Sequence, residues 1–138
     1  MTEVLKINVP GKAEYVGTVR LATAHVASYA GFDIDTVEDI KVAISEACTN
    51  IICHAYENPN FVYDVVLEVG GNVLTITVKD DGAGFGIEEY VTPVLGELQV
   101  GGLGIFIIRA LMDEVDIQSE PGTGTNIRMT KHLQSIAV

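Results

Sequence analysis

The chain has 138 residues, which suits one domain with a real hydrophobic core and is too short for two full ones. Hydrophobic residues make up 48% and the mean hydropathy is +0.32, which excludes a disordered acidic tail; no run approaches the ~18 apolar residues of a membrane span. Eight Lys and Arg against nineteen Asp and Glu give a net charge of −11, which opposes nonspecific nucleic-acid binding and suits a partner that presents positive charge.

The start, Met1-Thr-Glu-Val-Leu-Lys-Ile-Asn8, has neither the basic opening nor the apolar core of a secretion signal, so a cytoplasmic location is expected. Leu5, Ile7 and Val9 alternate with polar neighbours and predict a strand ended by Pro10-Gly11. Val16, Val19, Ala22, Val26 and Ala30 predict a helix from about residue 13 to residue 30, broken at Gly31-Phe32. A second helix is expected from near Asp35-Thr36 to about Asn58-Pro59, with Ile40, Ala43, Ile44, Ala47, Ile51 and Ala55 as its apolar stripe. Cys48 and Cys53 stand five apart on it; their side chains diverge, which predicts two reduced core thiols rather than a disulfide.

Phe61 to Val69 and Val73 to Val78 are rich in β-branched residues and read as two strands joined at Gly70-Gly71-Asn72. The stretch from about 85 to 101 contains Pro93, has no sustained period and is long for a connector, which predicts a functional lid. A helix from Leu103 to about Met112 and a last strand pair, 114–119 and 124–130, complete the order β-α-α-β-β-lid-α-β-β. That order predicts a single domain over 1–138, an α+β two-layer sandwich whose mixed, mainly antiparallel sheet carries its helices on one face.

Three motifs carry chemistry. Glu46, Asn50 and His54 follow one another at four-residue spacing along one side of the second helix. Asn offers a hard, neutral oxygen to Mg²⁺, and Glu one turn earlier could take a proton from a hydroxyl. Asp80 should end a strand, where its carboxylate could accept the amino hydrogen of adenine; Gly82 and Gly84 then let a ligand approach bare backbone. Gly101, Gly102 and Gly104 are expected just before a helix, whose N-terminal amides favour an anion. Each motif has a plainer reading: polar helix surface, an Asp-Gly turn, a helix-entry turn. There is no Walker sequence and no G-x-G-x-x-G spacing.

In this order the motifs resemble the GHKL ATPases, the superfamily of gyrase, histidine kinases and a heat-shock chaperone. The likeness is nearest to the anti-sigma factor serine kinases of the RsbW and SpoIIAB type. Glu46-x3-Asn50-x3-His54 is similar to the family's N box, Asp80-x-Gly82-x-Gly84 to its first glycine box, and Gly102-x-Gly104 to its second. Gly122-Thr-Gly124-Thr125 resembles the last box, where a threonine helps hold the adenine end. The resemblance implies a cytoplasmic homodimer that uses ATP and Mg²⁺, sequesters a sigma factor and phosphorylates a serine on a small antagonist protein. It implies Glu46 as general base, Asn50 as Mg²⁺ ligand and Asp80 as adenine reader. Arg20 falls at a position used to contact both partners; on its own it reads as a solvated arginine. Between Lys79 and Arg109 there is no Lys or Arg, a departure that predicts slow phosphoryl transfer and keeps open an alternative, a nucleotide-gated binding module with little kinase activity.

Overall fold

The computed structural model describes residues 1–53, 60–80, 100–120 and 124–133. Five strands, β1 (Glu3–Pro10), β2 (Val62–Gly70), β3 (Val73–Lys79), β4 (Glu114–Glu120) and β5 (Gly124–His132), form one sheet in the order β1-β2-β3-β5-β4. All four pairings are antiparallel, so the parallel component that a mixed sheet would require is absent among the described strands. Helices α1 (Val16–Ala30), α2 (Ile34–Cys53) and α3 (Val100–Leu111) make the second layer: α1 packs over β2, α2 over β3, and α2 lies between the other two helices.

Strand alternation decides which face they cover. Val65 and Leu67 of β2, Leu74, Ile76 and Val78 of β3, and Ile127 and Met129 of β5 all point to the helices and are fully buried. The expected stripe of α2 meets them: Ile40, Ala43, Ile44, Ala47 and Ile51 are each completely enclosed. Burying such an isoleucine contributes about 1.5–3 kcal/mol. The opposite face of the sheet carries Asn8, Asp64, Arg128 and other polar side chains, with Asn8 Nδ2 donating to Asp64 Oδ1 at 2.9 Å. Among the described residues no helix is long and apolar enough to cross a membrane.

Local chemistry sets the element ends. Gly31 closes α1 at φ 109°, a left-handed conformation that glycine takes without a Cβ clash, and Phe32 N–H returns to the Ala27 carbonyl at 3.2 Å. Asp33 caps α2, its Oδ1 accepting the Thr36 N–H at 2.8 Å, so the helix starts a residue or two earlier than the Asp35-Thr36 signal suggests. Hydrogen bonding from Thr36, side chain first and backbone second, holds the Asp33 carboxyl below its ordinary range. The β2–β3 turn narrows to Gly71 and Asn72, both at φ 62°, the mirror-image geometry that matches strand twist.

Four further expectations are corrected. Residues 13–15 form a separate 3-10 turn ahead of α1. The buried line of α1 is centred on Val19, Thr23 and Ala27, because the Thr23 hydroxyl satisfies itself on the Val19 carbonyl at 2.8 Å and can therefore be buried. Helix α3 begins at Val100, inside the expected lid. Only Cys48 is a core thiol; Cys53, 140° further round the helix, is exposed. The helix expected as far as Asn58-Pro59 is described only to Cys53, and the rest of that expectation, Ala55 included, lies outside the described residues.

Burial pushes the Cys48 thiol up to about 11, and it also raises the Tyr63 hydroxyl that Cys48 adjoins. Both groups favour their neutral form in the folded chain. The Cys48 contribution to stability is therefore intact below about pH 9 and lost as pH rises from about 9 to about 11, while that of Tyr63 begins to be lost only near pH 10. Denaturant midpoints should fall across that window; midpoints that stay level through it would contradict a buried neutral thiol. Alkylation of the native chain at about pH 8 should stop at Cys53.

Candidate functional site

The alternation that buries Leu74, Ile76 and Val78 puts Asp80, one residue past the end of β3, on the same helix-facing side, and it is 5% exposed. Its backbone N–H donates to the Thr125 carbonyl at 3.0 Å and so extends the β3–β5 ladder past the strand. Thr125 heads the inward row that continues as Ile127 and Met129, and is 1% exposed. Its cross-strand partner is Ser119 of β4, and the two hydroxyl oxygens stand 2.8 Å apart. Three adjacent strands thus place a carboxylate and two hydroxyls at one end of the core, where the pattern elsewhere supplies aliphatic groups. Burying polar groups there is costly unless they have partners.

Helix α2 supplies Glu46 and Asn50, one turn apart; Asn50 is 2% exposed and Glu46 half-buried. The Glu46 carboxylate reaches α3: a Cβ built on Gly104 would fall 2.8 Å from Glu46 Oε2. Because α3 spans Val100–Leu111, Gly101, Gly102 and Gly104 sit within the helix and not in front of it. Glycine is among the poorest helix residues, which made Leu103 the natural start from sequence. Packing of α3 on α2, with Ile108 fully buried, outweighs that propensity. The helix N-terminus keeps its anion-favouring character, since the first four amides of any α-helix lack an i−4 acceptor within it.

Arg20 is half-buried on α1, and its Nη1 donates to Ser45 Oγ at 3.2 Å. Ser45 in turn donates to the Lys41 carbonyl at 2.8 Å, which leaves its lone pairs facing the guanidinium. Arg20 is therefore tethered to the residue before Glu46. Neither Ser45 nor Ser119 belongs to a motif of the sequence; Ser119 continues the Val115, Ile117 inward row, a period-2 signal that marks it.

The structure thus joins Asp80 to Thr125, Glu46 to Gly104, and Arg20 to the Glu46 turn of α2. Gly82, Gly84 and His54 lie outside the described residues, as does the expected lid apart from residues 100–101, which are helical. Two pockets of about 270 and 260 Å³ open at the other end of the sheet, around Phe32 and Leu133, and neither includes a residue of this group.

The donor set fits a magnesium nucleotide. A buried carboxylate beside hydroxyls suits the amino-bearing edge of a base. Asn50 offers the hard oxygen that Mg²⁺ prefers, and a helix N-terminus suits phosphate oxygens.

Residues 9–131 match the histidine kinase-like ATPase domain, and the chain belongs to that family. The solved fold agrees: the RsbU and RsbW domains of Rv1364c from Mycobacterium tuberculosis superpose with a TM-score of 0.71 at 23% identity, over 95% of this chain and 32% of that one. The histidine kinase domain of Erythrobacter litoralis EL346 blue-light activated histidine kinase gives 0.59 at 23% identity, over 88% and 60%. By sequence the chain is similar to Serine-protein kinase RsbW. It is 37% identical to that of Bacillus thuringiensis (strain Al Hakam) over 140 aligned residues, 96% of this chain and 86% of the relative. It is 36% identical to that of Halalkalibacterium halodurans, over 96% and 85%.

Proposed function

We propose that this chain is a Mg-ATP-dependent serine-protein kinase that is also an anti-sigma factor: it binds and inhibits a sigma factor and phosphorylates a serine on a small antagonist protein. The observation that carries the reading is the Asp80 carboxylate, enclosed on the helix side at the end of β3 and bonded through its backbone to Thr125. The similarity to serine-protein kinases over 96% of the chain supports it.

When bound, ATP supplies the phosphoryl group and Mg²⁺ offsets its charge. Asp80 accepts an N–H from the exocyclic amino group of adenine, which selects against guanine, and Thr125 supports the same end of the base. Asn50 holds the metal through its amide oxygen. Gly82, Gly84 and the first turn of α3, Gly102 included, receive phosphate oxygens on backbone amides. Glu46 accepts the proton of the acceptor serine hydroxyl. Arg20, steadied by Ser45, contacts the protein partners.

A cytoplasmic homodimer follows the same reading. β1 is an edge strand with Val4 and Leu5 about half exposed, and such an edge is a template for pairing with a second chain. The net charge of −11 argues against direct nucleic-acid contact.

Incubation with labelled Mg-ATP and candidate antagonist proteins is expected to give a phosphoprotein that survives acid, as phosphoserine does, formed slowly because no Lys or Arg stands between Lys79 and Arg109. Label released by acid would indicate phosphohistidine and sink the serine assignment. Nucleotide binding with no transfer to any candidate would favour the nucleotide-gated binding module, which the absence of cations in that stretch also favours.

A further inference from the structure

Gly104 needs an explanation beyond helix entry. It is buried in the second turn of α3, and it is not among the positive-φ glycines Gly31, Gly71 and Gly124, so its backbone would accept any L-residue. Glycine there only weakens the helix. The three atoms nearest to a Cβ at this position all belong to Glu46: Oε2 at 2.8 Å, and Cβ and Cδ both at 3.8 Å. Gly17 of α1 is a helical glycine of a different kind, since a Cβ there meets only Arg20 Nη2 at 3.6 Å. Apart from the helix's own backbone, the atom that a methyl group at 104 would crowd is the end of one side chain, Glu46 Oε2.

We infer that Gly104 is a positioning residue for Glu46: the missing side chain is the seat in which the carboxylate rests, so that α3 as well as α2 fixes where the base lies. The inference rests on the reading of Glu46 as the base. It gives Gly104 a task other than phosphate contact, and it ties the carboxylate to the helix whose first turn is assigned to the phosphates. A methyl group at 104 would meet the movable end of Glu46, and the cheapest response is rotation of that side chain out of the seat.

The test is Gly104→Ala, made in the parent and in Glu46→Ala, with Gly17→Ala as the control for helix propensity. The isotope-edited Cδ resonance of Glu46, identified by its loss in Glu46→Gln, should move in Gly104→Ala and stay in place in Gly17→Ala. Gly104→Ala should raise Tm more in the Glu46→Ala background than in the parent, because only the parent must give up the seated carboxylate. Affinity for ADP should stay within about twofold of the parent, and phosphotransfer should fall by about tenfold or more. Equal Tm changes in both backgrounds with an unmoved resonance would overturn the seat. ADP affinity lost by about tenfold with the resonance unmoved would return Gly104 to phosphate contact. If the resonance moves and the Tm changes differ while Glu46→Gln still transfers phosphate, the seat stands and the base assignment falls.

Discussion

Asp80→Asn is expected to abolish measurable ATP binding while leaving the fold in place. The two side chains are nearly isosteric, so the β3 end and the Asp80 N–H to Thr125 carbonyl bond, which is backbone to backbone, should survive. What changes is chemistry: a carboxylate that only accepts becomes an amide whose NH₂ can face the amino group of adenine, donor against donor. Loss of a charged hydrogen bond, together with a donor left unsatisfied in an enclosed site, costs about 3–5 kcal/mol, or roughly two to four orders of magnitude in Kd. Calorimetric titration with Mg-ATP measures it, with Tm as the check on folding. Binding at the parent's affinity would remove Asp80 from the pocket, and with it the observation on which the kinase reading stands.

Glu46→Gln should separate binding from chemistry. The amide keeps the shape that rests against Gly104 and cannot take a proton, so nucleotide affinity and partner binding should persist. Single-turnover transfer to the antagonist should fall by about 10²–10⁴-fold, the usual contribution of a positioned general base. Transfer at the parent rate would show that no base is needed at Glu46, as expected if proton removal lags a loose, metal-stabilised transition state.

Much of this fold was open to reading from periodicity. The α2 stripe is legible because its apolar residues recur at helical spacing, and the five of its six that lie among the described residues are all enclosed. Asp80 could be placed for the same reason: parity with Leu74, Ile76 and Val78 fixes its side once the strand is recognised. What depends on distant packing stayed hidden. The β1–β2 pairing joins Glu3 to Val69 across two helices, and no local signal announces it. The tether from Arg20 to Ser45 exists only because α1 and α2 lie side by side. The start of α3 differs from the sequence expectation because glycine propensity is a local quantity and the α2–α3 contact is not. Thr23 has no sequence signal for burial, since only its bond to the Val19 carbonyl makes a hydroxyl acceptable on that face.

Ser119 and Thr125 meet across the β4–β5 pairing, and Asp80 joins them only through β5. That strand is the last of the five in chain order, and it separates β3 from β4 in the sheet. During synthesis the ribosome therefore releases α2, with Glu46 and Asn50, well before the strand that completes the proposed adenine end. A growing chain halted ahead of Gly124 would hold the Glu46 turn beside a β3 paired only with β2, with the Asp80 end of that strand uncovered on its β5 side. On the proposed reading, nucleotide recognition is thus acquired in one late step, when β5 slots between its neighbours.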